Sequence, residues 1–258
     1  MNRLLPIAIP LCVNFCPDAH GLEFRITEQP CSHEITSIVQ QELNINIRPI
    51  PDGDVVTSAC KAYPGVQDTT IVAYAHDQLD KQGNPVPDHK NYQVLLLNTR
   101  SRTVTYRFNQ IIEEDAGTEV GEHSLWIDTA PYQLTDKLRA FGILKRIGKN
   151  SSRCAENMDN DYLDLFVPEG AVLHNVLNGF TLFFEKVSLD PDCSPAGSTD
   201  VRRTIRMGEH RENGYRDLII STRLSPKIIY TQSLHYNGRQ YETTTSEKKW
   251  QDWWEKQP

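Results

Sequence analysis

The stretch ENMDNDYLD sets three carboxylates, Asp159, Asp161 and Asp164, within six residues. Closely spaced oxygen donors in a loop are what a calcium ion takes. A calcium loop of the EF-hand type also needs a central glycine and a distal bidentate glutamate, and both are missing here. These three aspartates are therefore metal candidates by composition alone, and the stretch reads as a polar turn. Zinc chemistry has less to stand on: the chain contains no CxxC, no HxH and no HExxH. Its eight histidines are scattered singly. His33 beside Glu34 and His123 beside Glu122 would act as acid–base pairs only if the fold brought further groups to them. No GxSxG nucleophile motif is present, nor an SxxK in a plausible context. No catalytic residue, metal or cofactor is expected on these grounds.

Thiols carry a clearer message. Cys12 and Cys16 fall in an N-terminal segment, MNRLLPIAIPLCVNFCPDA, with the layout of an export signal: Arg3, an apolar run from Leu4 to Phe15, then small and turn residues. Residues 1–19 are expected to be removed, leaving a single β-rich domain over 20–258. That leaves Cys31, Cys60, Cys154 and Cys193, an even number in an exported chain, which predicts disulfides. Of the three possible pairings, Cys31–Cys60 and Cys154–Cys193 each close a local loop, worth about 3–4 kcal/mol apiece in the loop-entropy account.

At the other end, EKKWQDWWEKQP places Trp250, Trp253 and Trp254 at i, i+3 and i+4. On a short helix they form one aromatic ridge. Such a ridge either packs on the protein's own sheet or stands exposed as an anchor for a protein partner, and the three are the partner-binding candidates.

The elements that must position these groups follow from periodicity. SHEITSIVQQEL predicts one short helix, with Ile35, Ile38 and Val39 on one face and Ser32 as N-cap. From about residue 69 the period is two. TTIVAYA, YQVLLLNTRSRTVTYRF, SLWIDTAPYQLTDKLRAFGILKRI and DYLDLFVPEGAVLHNVLNGFTLFFEKV read as successive strands and turns. Val104, Tyr106 and Phe108 are expected on one face, as are Phe141, Ile143 and Ile147. Residues 77–91, DQLDKQGNPVPDHKN, read as a long polar connection, either the tip of a hairpin or a loop of the kind that carries binding. Arg202, Arg203 and Arg206 read as the solvated face of a strand. Asn237-Gly238 predicts a two-residue type I′ hairpin turn. About ten strands joined by hairpins predict an all-β antiparallel meander forming a β-sandwich, with a small propeller as runner-up.

A net charge of −7 and a sequence pI near 5.6 argue against nucleic-acid binding. No stretch is long enough to span a membrane. The chain resembles a family of uncharacterised exported bacterial all-β proteins through CKAYP (60–64), LWIDTAPYQLTDKLRAFGI (125–143), LDLFVPEGAVLHNVL (163–177) and LHYNGRQY (234–241). The resemblance implies export and a β scaffold; the family has no established activity to carry over. ENGYRDLIIS is also similar to units of calcium-binding propellers, whose acidic loop is incomplete here. The expectation is a non-enzymatic periplasmic or secreted binding protein with a protein partner, in its most concrete form an inhibitor or immunity protein for an envelope-targeting enzyme. The alternative is an envelope hydrolase working through paired carboxylates.

Overall fold

The computed structural model describes residues 28–43, 55–149, 154, 156–170, 172–224 and 228–257; the expected export segment 1–19 lies outside them. Helix α1 (His33–Leu43) starts where Ser32 Oγ accepts the Ile35 amide at 3.3 Å, the cap expected of it. It buries Ile35, Ile38 and Val39 against the outer face of a four-stranded antiparallel sheet. That sheet is β1 (Val55–Ala62), β2 (Thr69–Leu79), β3 (Pro85–Asn98) and β4 (Thr103–Glu113), in sequence order. Val72, Tyr74, Leu95 and Leu97 face α1, while Ile71, Ala73, Ala75, Tyr92, Val94 and Leu96 face a second sheet. Burial on both sides explains why IVAYA and VLLL are unbroken apolar runs rather than alternating ones.

The second sheet holds β5 (Leu125–Gln133), β6 (Arg139–Lys145), β7 (Asn157–Glu169), β8 (Val172–Leu189), β9 (Pro195–Glu212), β10 (Tyr215–Arg223) and β11 (Ile229–Leu234), each beside its sequence neighbour. Helix α2 (Thr244–Trp254) ends the described chain. The architecture is an all-β sandwich of two antiparallel sheets, with one short helix before the strands and one after them among the described residues. Consecutive strands fill two sheets, not radial blades, which replaces the propeller alternative. Leu125, Ile127, Phe141, Ile143 and Ile147 meet the first sheet, and Ala140, Leu144, Leu163, Leu165 and Val167 line the opposite face, the alternation expected. Strand β9 turns a corner: its first part pairs with β8 and residues 203–212 pair with β10. The sheet thereby curls back, so that the Arg216 amide reaches Leu134 O at 2.9 Å and the Tyr241 amide reaches Val176 O at 2.8 Å. A second core of Leu134, Leu177, Leu218, Ile220, Leu234 and Tyr241 is enclosed there.

Four local readings need correction. Residues 77–91 are the hairpin tip and not a long binding loop, because β2 and β3 continue through them and Leu79 lies opposite Pro85. The Asp80 carboxylate closes the tip by accepting the amides of Gln82 and Asn84, each at 2.8 Å. This end of the hairpin extends past the core with little to bury, so it shows no hydrophobic period. Val104 does not share a face with Tyr106 and Phe108: an irregularity in register leaves Thr105 as an extra residue, and Val104 turns to the α1 side. Asn237-Gly238 is not a two-residue turn. Residues 237–240 form a four-residue loop between Tyr236 and Tyr241, in which Asn237 Oδ1 accepts the amides of Arg239 and Gln240. The positive-φ pair of a type I′ turn is instead Asn213 (φ 49°) and Gly214 (φ 88°), joining β9 to β10. Lastly, only Arg202 and Arg206 of the arginine run are exposed; Arg203 is buried.

An ion pair sits between the sheets. Lys145 Nζ lies 2.9 Å from Asp164 Oδ2, with side-chain exposures of 7% and 0%. Asp164 Oδ1 accepts the Gly179 amide at 2.6 Å, and the ammonium lies 5.4 Å from the centre of the Tyr92 ring. Burial, and then the neighbouring Asp164 carboxylate, push the Tyr92 hydroxyl well above its ordinary value.

Candidate functional site

The three aspartates singled out by sequence sit on one strand, β7, not in a loop. Asp164 belongs to the interior pair with Lys145. Asp161 is gripped by Arg146 Nε at 2.9 Å and Arg202 Nη1 at 2.6 Å. Asp159 lies near Arg203 and Glu247. They do not converge on a point: Asp161 and Asp164 are answered by arginine and lysine, and burial pushes the Asp159 carboxyl above its ordinary value.

Both disulfides form as paired by loop closure: Cys31–Cys60 and Cys154–Cys193, with sequence separations of 29 and 39. The first ties the approach to α1 onto β1. The second ties the approach to β7 onto the β8–β9 turn. Two such bonds fit an oxidising, extracytoplasmic compartment. No helix among the described residues is long and apolar enough to cross a membrane.

The tryptophan ridge is built as an inward face, the packed one of the two expected arrangements, so Trp250 and Trp254 are not displayed as a partner anchor. Trp250 is 0% exposed and Trp254 8%. They pack with Phe184 and Val201, and the partly buried Trp253 stacks on Tyr230 at 5.1 Å. The reason is Arg203. Its guanidinium lies 4.3 Å from the Trp250 ring centre and 4.5 Å from that of Phe184, and it donates to Glu247 on α2 at 2.8 and 3.1 Å. A planar cation stacked on aromatic faces and bidentate to a carboxylate is the arrangement arginine favours when buried. It pulls the helix down on its aromatic side.

Neither histidine pair noted in the sequence gathers other catalytic groups: His33 and Glu34 are exposed on the first turn of α1, and Glu122 and His123 on the loop before β5. Another set is brought together. His210 near the end of β9, Asp217 on β10 and His235 just after β11 hold their ligand atoms within 4.8 Å of one another, the one such group among the described residues. His210 Nδ1 is 2.9 Å from Asp217 Oδ2, and His235 Nδ1 is 2.9 Å from Asp217 Oδ1. The carboxylate is the floor, with its side chain 4% exposed; the imidazoles are the rim, at 65% and 49%. Glu212 Oε2 stands 3.7 Å from His235 Nδ1. Two backbone features aim these groups. Gly208, Glu209 and His210 together lie opposite Asp217 alone, a bulge between the Arg216–Arg211 and Leu218–Met207 pairs. A Cβ on Gly208 would stand 3.2 Å from both the Cβ and the carbonyl oxygen of Asp217, so any larger residue would push the strands apart by a few tenths of an ångström. The sequence did hold a signal for part of this set, since a two-residue turn at Asn213-Gly214 puts position 210 across from 217.

The connection from β4 to β5 carries the densest acidity. Glu113, Glu114, Asp115, Glu119 and Glu122 fall within ten residues, and all but Glu114 are exposed. Lys90 meets Glu114 at 3.3 Å and Lys149 meets Glu119 at 2.8 Å. The backbone is pinned rather than loose: the Val120 amide donates to Glu114 Oε1 at 2.6 Å, the Glu119 amide to Ile147 O at 2.8 Å, and the Lys149 amide to Gly117 O at 3.0 Å.

Comparison with known protein families, curated proteins and solved structures finds no match, so the resemblance to exported bacterial β proteins rests on its four sequence motifs.

Proposed function

We propose that this chain is a non-enzymatic binding protein of an oxidising extracytoplasmic compartment, the periplasm in the first instance, and that it recognises a basic protein partner. An inhibitor or immunity protein for an envelope-targeting enzyme is the most concrete form. The observation that carries the reading is the β4–β5 connection: a hydrogen-bonded segment presenting Glu113, Asp115, Glu119 and Glu122 to solvent on a chain of net charge −7. A fixed acidic surface steers a basic partner and fixes its register without prior ordering of the loop. The alternative, a hydrolase using paired carboxylates, draws no comparable support: Asp161, Asp164 and Glu247 are each committed to a lysine or arginine.

Affinity capture from periplasmic extract tests the reading. A basic protein should be retained at low ionic strength and released at about 0.5 M salt, where the screening length falls to a few ångströms. Combined Glu113→Gln, Asp115→Asn, Glu119→Gln and Glu122→Gln should cut its retention at least tenfold. Retention unaffected by salt and by the four substitutions would overturn the proposal.

A further inference from the structure

We propose that His210, Asp217 and His235 form a binding site for a divalent transition-metal ion of the zinc class. This goes beyond the protein-partner reading and does not depend on it. Two imidazoles and one carboxylate, contributed by adjacent strands, are a donor set that suits zinc, nickel and copper far better than calcium or magnesium. Glu212, 3.7 Å from His235 Nδ1 and half exposed, is placed to supply a fourth ligand or to hold a metal-bound water.

Asp217 supplies the second line of argument. Elsewhere, each buried acid has a permanent cation: Lys145 for Asp164, and Arg146 and Arg202 for Asp161. Asp217 is as buried as these, yet only histidines form ion pairs with it among the described residues. Its Oδ1, like Asp164 Oδ2 beside Lys145, is buried and accepts no well-aligned hydrogen bond, but the group 2.9 Å away is the His235 imidazole and not a permanent cation. The carboxylate faces two imidazoles, one oxygen to each: Oδ2 is hydrogen-bonded to His210 Nδ1, while Oδ1, facing His235, is poorly compensated by a neutral ring. A divalent ion compensates it fully. Ligand atoms around a tetrahedral zinc stand about 3.3 Å apart, given metal–ligand distances of about 2.0–2.1 Å. The two carboxylate–imidazole spacings are 2.9 Å and all the ligand atoms lie within 4.8 Å, so rotations of the two rings, 65% and 49% exposed, bring the set to that spacing over the carboxylate floor beside the β9 bulge.

The test uses untagged protein with its disulfides intact, stripped with chelator and dialysed. Titration with zinc chloride, followed by calorimetry and by thermal unfolding, should show one ion per chain with a dissociation constant of about 10 µM or tighter. Cobalt should give the visible spectrum of a low-coordinate imidazole–carboxylate site. His210→Ala and His235→Ala, chosen because both rings are exposed and their loss leaves the cores intact, should each weaken binding at least tenfold. His123→Ala, on a different loop, should not. Asp217→Asn, close in shape, should abolish the cobalt spectrum. No saturable binding up to about 1 mM zinc would overturn the proposal, as would one-to-one binding that survives both histidine substitutions. In either case the triple is a hydrogen-bonded structural cluster.

Discussion

Substitution of Asp164 by asparagine tests the interior of the sandwich. Asparagine keeps the shape and keeps an oxygen for the Gly179 amide, now 2.6 Å from Asp164 Oδ1. What disappears is the charge opposite Lys145, whose ammonium is 2.9 Å away and only 7% exposed. Breaking a buried pair by removing one partner costs about 3–5 kcal/mol, because the remaining ion is stranded. Here the Tyr92 ring, 5.4 Å from Nζ, still offers a cation–π contact worth about 1 kcal/mol or more, so the low end, about 3 kcal/mol, is expected. The double variant Lys145→Met with Asp164→Asn removes the stranded charge and should recover most of that loss, to within about 1 kcal/mol of the parent. The assay is urea unfolding under oxidising conditions, followed by far-ultraviolet circular dichroism. With a slope of about 2–3 kcal/mol per molar, Asp164→Asn should lower the midpoint by about 1 M. A loss below about 1 kcal/mol would refute the reasoning, and so would a double variant no more stable than Asp164→Asn alone.

Other outcomes follow from the same structure. Trp250→Ala empties the space between Phe184, Trp254 and the Arg203 guanidinium and should cost about 3–5 kcal/mol in urea unfolding; a loss under about 1 kcal/mol would mean α2 does not dock. Cys31→Ser with Cys60→Ser opens a loop of separation 29 and should cost about 3 kcal/mol, read as the difference between oxidised parent and variant. Gly214→Val forces a β-branched residue to φ 88° in the β9–β10 turn and should cost about 1–2 kcal/mol, measured as a fall in the urea midpoint. Four surface carboxyls are held below their ordinary values: Asp80 by the Asn84 amide, Asp136 by Arg211, Asp192 by Ser194 and Glu119 by Lys149. Depressed acids contribute stability that is present above the ordinary carboxyl range and lost as pH falls through their folded-state values. Melting temperature should therefore drop below about pH 4, and the four corresponding Asn or Gln substitutions together should flatten that drop; an equally steep profile in the variant would exclude these groups as its source.

Much of the framework was legible because it is local. A strand half buried on one face must alternate, so the sequence alone put Phe141, Ile143 and Ile147 on one face; that they meet the first sheet, while Leu163, Leu165 and Val167 line the second core, is tertiary. Helix α1, its Ser32 cap and the two disulfides follow from short spacings in the same way. Polar strands escaped the pattern where they leave the core, as between Leu79 and Pro85, and an extra residue such as Thr105 inverted every face after it. What the tertiary structure alone decided are the meetings of distant residues. Arg203, by its neighbours an exposed strand arginine, is buried because the curl of the second sheet and the return of α2 close over it with Glu247 and Trp250. His210, Asp217 and His235 come together through strand register, a bulge and a close approach at Gly208. Periodicity reports which side of a strand is dry; it carries no information on which strand lies opposite or where a register slips, and the chemistry of this chain depends on both.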